Sequence, residues 1–274
     1  MRSLSRSENG FTIVEMLIAT MIGIFIIAGA GKIYMDSKTT FMTRDTVAAA
    51  TESARFAVQD LRRTLVMAGR GVTEDVDNAT AYTTVDNNLR TFPAVSADGS
   101  NASAVTGIVD KDDRGSSAIA IRYAIGPAPC GIAGTIAANT TVRFFVNANS
   151  DLVCEVVGGL SQPLVSGVAR MRVLYGVDTD EDGYANAYWT AGQVDDRGTI
   201  PAGRWPNVVS MRIGMVVNSG NVELPKASRL AAASETLSML GSDYTVAAVD
   251  NALFHKTVST TFFLRNLHTA VQRQ

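Results

Sequence analysis

The sequence is poor in the residues on which most catalytic and nucleic-acid chemistry depends. Its 274 residues include 2 histidines and 2 cysteines, and aromatic side chains make up 7%. His255 and His268 stand alone without metal-ligand spacing, and neither a Walker A nor a G-x-S-x-G motif occurs. The 24 basic residues do not exceed the 26 acidic ones, so the chain lacks the basic excess of a nucleic-acid-binding protein. We therefore expect neither an enzyme nor a nucleic-acid partner.

A long apolar run near the N-terminus is the most conspicuous feature that the sequence does contain. From Phe11 to Gly31 the only charged residue is Glu15. As a helix this run would span about 31 Å, close to the thickness of a bilayer core. Because Arg2 and Arg6 precede it, the positive-inside rule predicts a cytoplasmic leader and an exported chain.

Three interpretations of this run compete. A secretory signal peptide is suggested by the small-x-small pattern AGA at 28–30, but the run is long for such a peptide and carries a carboxylate. An uncleaved anchor would let Glu15 reach the interface from the start of the helix. Cleavage after Gly10 explains more, because it accounts for Gly10, Phe11 and Glu15 together.

The segment GFTIVEMLIA, residues 10–19, resembles the N-terminal signature of type IV pilins and type II secretion pseudopilins. The resemblance covers roughly residues 8–65. It implies that a prepilin peptidase cuts after Gly10 and methylates Phe11, and that Glu15 then pairs with the N-terminal amine of a neighbouring subunit. A carboxylate in the membrane costs about 2.5–3.5 kcal/mol, so Glu15 is expected to be unfavourable alone and satisfied in a filament.

Helical periodicity continues beyond the apolar run. No proline interrupts the segment up to Gly69 and Gly71, which are natural helix stops. Apolar residues recur every three to four positions and predict a stripe that packs against the head. One helix is therefore expected from about residue 11 to 68. The stripe consists of Val47, Ala50, Ala54, Val58, Leu61 and Leu65.

The rest of the chain has the period of two that is typical of antiparallel strands with one wet face. Residues 72–115 are predicted to be a variable surface region, and residues 222–250 an insertion with a short helix near 227–240. The fold class is therefore α+β, a long N-terminal helix packed on a mostly antiparallel sheet, as in pilins. The expected parts are a cleaved leader (1–10), a transmembrane and filament-core helix (11–31), an amphipathic half-helix (32–70) and a periplasmic head (71–274). The predicted strands are 118–125, 141–147, 151–157, 168–177, 208–218 and 257–266.

Three head segments, at 174–191, 205–219 and 257–266, together resemble a PilW-type minor pilin. The resemblance implies a non-enzymatic subunit that primes pilus assembly with other minor pilins and is placed at the pilus tip. Implied partners are those minor pilins, the major pilin, the prepilin peptidase, the inner-membrane assembly platform and an adhesin-like tip protein. The subunit would sit in inner-membrane lipid, N-terminus inside, before it enters the pilus. The alternatives are a J-type minor pseudopilin of type II secretion and an anchored periplasmic binding or enzymatic domain.

Cys130 and Cys154 are the only cysteines. If the head lies outside the cytoplasm, they are expected to form one disulfide. The other interpretation is a pair of buried free thiols, since sequence spacing does not show proximity.

The segment DTDEDGYANAYW, residues 178–189, resembles the start of an EF-hand loop. Trp189 occupies position 12, where a bidentate Glu belongs, and the loop follows a strand rather than a helix. We therefore keep two interpretations, a calcium site of weak to moderate affinity and a solvated acidic turn. The candidate ligands are Asp178, Asp180, Asp182, the carbonyl of Tyr184, and Asn186.

Overall fold

The computed structural model describes residues 11–71, 116–180, 182–196, 207–229 and 235–266. The described chain forms two compact units, the first ending at Asp45 and the second beginning at Thr46. The predicted surface region at 72–115 lies outside the described residues.

A single helix, α1, runs from Ile13 to Leu65. Turns follow it, and Gly69 and Gly71 have φ angles of 78° and 70°, a conformation that favours glycine and ends the helix. The helix is a few residues shorter than predicted, and the predicted stripe is correct. Its later part buries a face against the head: Thr46, Ala50, Ala54, Ala57, Leu61, Thr64 and Leu65. Val47 and Val58, also in the stripe, are half-buried.

The first sheet is antiparallel and has the strand order β1-β4-β5-β6. Between β1 and β4 the chain makes a small hairpin of β2 and β3. The turn from β4 to β5 is fixed by Asn147, whose side-chain oxygen accepts hydrogen bonds from the backbone N–H groups of Asn149 and Asp151, both at 2.9 Å. The strands are β1 (Ile119–Tyr123), β2 (Gly126–Pro127), β3 (Thr135–Ile136), β4 (Thr140–Val146), β5 (Asp151–Val156) and β6 (Ser161–Ser166).

The second sheet, also antiparallel, has the order β12-β9-β7-β8. Its strands are β7 (Val168–Val177), β8 (Ala187–Trp189), β9 (Val208–Asn218) and β12 (His255–Phe263), and a short helix α2 (Ala191–Asp196) follows β8. The register pairs Met171 with Met215 and Val173 with Ile213. All four side chains are buried, as the predicted alternation requires.

One hydrophobic core joins the second half of α1 to both sheets. Leu61, Tyr123, Phe144, Met171 and Ile213 are each at most 1% exposed. This arrangement confirms the α+β class.

Two serines tie the start of β1 to β7. Ser116 Oγ accepts a hydrogen bond of 2.7 Å from the Met171 N–H. The Ser117 N–H donates to the Met171 carbonyl at 2.8 Å. These bonds satisfy the β7 backbone where β8 does not reach it.

The predicted helix near 227–240 is wrong for the part that the structure describes. A short 3-10 helix covers Lys226–Ser228, and a hairpin of β10 (Thr236–Met239) and β11 (Ser242–Thr245) follows. Leu240 and Gly241 have φ angles of 49° and 75°, which is the backbone of a two-residue hairpin turn. The hairpin lies on the outer face of the second sheet, where a Cβ on Gly214 would lie 2.7 Å from Met239 Cγ.

Candidate functional site

The predicted processing site is described only from its second residue onward. Gly10 lies outside the described residues, and Phe11 is 90% exposed. Cleavage after Gly10 and methylation of Phe11 therefore stay predictions.

Thr12 and Glu15 cap the start of α1 reciprocally. The Thr12 N–H and the Thr12 hydroxyl both donate to Glu15 Oε2 at 2.9 Å. In return, the Glu15 N–H donates to Thr12 Oγ1 at 3.2 Å. This is a capping box, which satisfies N–H groups that the first turn of a helix leaves without partners.

The capping box gives Glu15 a local partner that our sequence reasoning missed. The T-x-x-E spacing immediately before an apolar run was the available signal. The contact also fixes the direction of the carboxylate, because it binds the backbone of the residue that directly follows Phe11. The only charged side chain of the apolar run therefore lies at the end of the helix that cleavage after Gly10 would expose. Its pairing with the amine of a neighbouring subunit stays a prediction.

The first half of α1 exposes its large apolar side chains. Ile13, Phe25 and Ile27, together with Phe11 just before the helix, are 72–90% exposed. By length and composition, α1 is long and apolar enough to cross a membrane, and none of its most apolar window is buried within the chain. Among the described residues nothing covers this surface, and its composition suits lipid or the packing of other helices.

Cys130 and Cys154 form a disulfide, with their Cα atoms 5.3 Å apart. The pairing confirms the first of the two interpretations. Both cysteines are buried, and the bond connects the loop of the β2–β3 hairpin to β5. Nearby, the Tyr123 hydroxyl donates to the Pro127 carbonyl at 2.9 Å, and burial raises the pKa of Tyr123 to about 12. The disulfide and this hydrogen bond together hold the hairpin against the first sheet.

The acidic loop gathers the three predicted carboxylates. A ligand oxygen from each of Asp178, Asp180 and Asp182 lies within 4.8 Å of the others. Asp178 is 1% exposed and accepts a hydrogen bond of 2.8 Å from the Gly183 N–H. Asp182 Oδ1 accepts a hydrogen bond from the Tyr184 N–H at 2.8 Å.

The fifth candidate ligand of this loop, Asn186, is already engaged. Its side-chain oxygen accepts a hydrogen bond of 2.8 Å from the Thr179 N–H. The loop therefore brings three carboxylates together, but it uses Asn186 to hold its own backbone. Binding of Ca²⁺ stays a prediction.

Comparison with known proteins finds a family match within the head. Residues 143–266 match the family model of type IV pilus-assembly protein W, a segment that begins in β4 and runs through β12. No protein of curated function matches this sequence. Among solved structures, a type IV-like pilin from Thermus thermophilus is similar at 14% identity and a TM-score of 0.46, covering 79% of this chain and 97% of that one. The family match confirms the resemblance that the head segments predict, and the family is named for a role in assembly rather than for a reaction.

Proposed function

We propose that this chain, whose head matches the family of pilus-assembly protein W, is a membrane-anchored minor pilin of a type IV pilus. The observation that supports this proposal most strongly is the capping box at the start of α1. It holds the only carboxylate of the apolar run at the backbone N–H of Thr12, the residue next to Phe11. Cleavage after Gly10 would create an amine on Phe11, at the same end of the helix as Glu15, where it could pair with the Glu15 of a neighbouring subunit.

The exposed apolar half of α1 supports the same role. Before assembly, lipid would cover this surface in the inner membrane, with the N-terminus inside and the head in the periplasm. In a filament, the helices of neighbouring subunits would cover it instead. Because opposite charges attract strongly in a low dielectric, pairing of Glu15 with a neighbouring amine would favour one register of these helices.

The proposed partners follow from this role. The prepilin peptidase would process the leader, and the assembly platform would extract the subunit from the inner membrane. Other minor pilins would join it in a priming complex at the tip, next to an adhesin-like protein, and the major pilin would extend the fibre.

The test compares Glu15→Ala with a control on the same helix. Asp36 is an exposed carboxylate beyond the apolar run and pairs with Lys32 at 3.9 Å on the surface of the same helix, so Asp36→Asn should leave assembly unchanged. Glu15→Ala should accumulate in the membrane yet disappear from sheared filaments. Normal incorporation of Glu15→Ala would contradict the proposal.

A gene deletion distinguishes the pilus from a secretion pseudopilus. Loss of pili and twitching with intact exoprotein secretion supports the minor pilin. Loss of secretion with intact pili would assign the chain to the J-type pseudopilins instead.

A further inference from the structure

The outer face of the second sheet, which the β10–β11 hairpin partly covers, carries three half-buried arginines. Arg170 and Arg172 lie on β7, two residues apart, so both point to the face opposite the core. The register places Arg172 beside Gly214 and Leu174 beside Arg212. Arg212 of β9 therefore lies diagonally across from Arg172, at a spacing of about 7–8 Å between Cα atoms. We call these three residues the arginine face.

None of the three guanidinium groups forms an ion pair with a carboxylate in the part of the chain that the structure describes. Arg172 is the most informative, because its Nε is buried and has no hydrogen-bond partner among the described residues. A buried donor without an acceptor costs about 1–3 kcal/mol, and more when it is charged. The arginine face therefore holds positive charge, and one costly donor, that nothing described within the chain neutralises.

The other two guanidinium groups are held in place by aromatic rings. The Cζ atom of Arg212 lies 3.9 Å from the centre of the Tyr188 ring, and its Nε donates to Thr261 Oγ1 at 3.3 Å. The Cζ atom of Arg170 lies 5.9 Å from the centre of the Tyr244 ring, and its Nη1 is 3.5 Å from the Asp243 carbonyl oxygen. Stacking fixes the guanidinium plane and leaves N–H groups at its edge for a partner. Less entropy is then lost when a carboxylate binds.

Arg143 on the first sheet combines a stacking ring with a nearby carboxylate. It stacks over Phe145 at 4.6 Å, and its Nη1 also lies 3.5 Å from Glu155 Oε2 on the neighbouring strand. In the arginine face, Arg170 and Arg212 have the rings, but no described carboxylate forms an ion pair with them.

We propose that the arginine face is a docking surface for an extended, carboxylate-bearing segment of a neighbouring protein subunit. That the neighbour is another pilus subunit rests on the function proposed above, whereas the binding chemistry does not. Alternate residues of an extended segment are about 6.7 Å apart, the same spacing as Arg170 and Arg172 on β7. Carboxylates at alternate positions of such a segment would therefore meet successive guanidinium groups, each able to bind a carboxylate through two N–H groups.

Composition favours a protein partner over a nucleic acid or a lipid surface. On the strand positions that the structure describes, the neighbours of the three arginines on this face include Leu174, Tyr188 and an exposed Phe263. Arginine and tyrosine are the residues enriched at protein-binding hot spots. The chain as a whole carries a net charge of −2, which disfavours binding to a polyanion.

The test uses the full-length protein in neutral detergent and two fluorescent ten-residue peptides, one alternating Glu and Thr and the other alternating Gln and Thr. Fluorescence anisotropy should show binding of the Glu peptide only, and affinity should fall as salt rises. Arg172→Gln and Arg212→Gln should each weaken binding by about tenfold or more, the effect expected for losing a charge-assisted hydrogen bond. Arg143→Gln is the matched control and should bind as the unmodified protein does.

Several outcomes would overturn the proposal. They are absence of binding, equal binding of the two peptides, or an equal loss in Arg143→Gln. Phosphatidylglycerol vesicles are a competing probe, and tighter, Arg212-dependent binding to them would identify a lipid surface instead. Arg172→Lys keeps the charge and loses the planar fork, so it should bind more weakly even if Arg172→Gln is too unstable to assay. A failure here leaves the pilin proposal standing, because that proposal is tested through Glu15 and the filament.

Discussion

Replacement of both cysteines by alanine should destabilise the head by an amount that the structure allows us to estimate. Cys130 and Cys154 are 24 residues apart in the sequence. In the chain-entropy model, closing a loop of about this length stabilises the folded state by about 3.5 kcal/mol. For a head of roughly 200 residues, the entropy of unfolding at the midpoint is about 0.4 kcal/mol/K, so the melting temperature should fall by about 8 °C.

The assay is thermal unfolding of the full chain in detergent, followed by tryptophan fluorescence. Removing both thiols together avoids leaving a reactive partner, and reduction of the unmodified protein should reproduce the shift. Mass spectrometry without reduction should find the peptides of Cys130 and Cys154 joined. Two free thiols, or a double variant that melts within 1 °C of the original, would refute the reasoning and favour the interpretation of buried free thiols.

Three further predictions concern the core, a buried histidine and the acidic loop. In a urea titration, Leu61→Ala should lower the free energy of unfolding by about 3 kcal/mol, because Leu61 is 0% exposed. Phe56→Ala should lower it far less, because the Phe56 side chain is 48% exposed. Burial lowers the pKa of His255 from its ordinary value of 6.5. The neutral imidazole therefore contributes its full stability above about pH 6.5, and this contribution is lost as the pH falls through the pKa of the folded state. The melting temperature of His255→Gln should depend less on pH between pH 7.5 and 5 than that of the unmodified protein. If the acidic loop binds Ca²⁺, calorimetry should detect heat by about 1 mM and Asp180→Asn should abolish it, while no heat in either protein would leave a solvated turn.

The sequence predicts most of the fold because its two periodicities are clear. Repeats of three to four residues give α1, and alternation gives β7 and β9 with Met171, Val173 and Ile213 facing the core. Strand β6 was missed because Pro163 interrupts a polar segment, which an edge strand tolerates and a central strand does not. The β10–β11 hairpin was missed because its turn depends on a positive φ at Leu240, a residue type that rarely adopts one.

Some candidate sites can be recognised in the sequence, and one cannot. The sequence singles out Glu15 by a motif and the two cysteines by their count, but the pairing of Cys130 with Cys154 needed the structure. The arginine face could not be recognised in the sequence, because Arg172 and Arg212 are 40 positions apart in the sequence and become neighbours only through the register of β7 with β9. A pattern within one strand shows which face a side chain occupies, but strand pairing decides which side chains meet across it.

The N-terminus of the protein in sheared filaments, determined by mass spectrometry, tests the assignment as a minor pilin most directly. We expect the chain to be present in that fraction and to begin at Phe11, with a methylated amine. A chain that begins at Met1 or Gly31, or one that never leaves the membrane fraction, would contradict it.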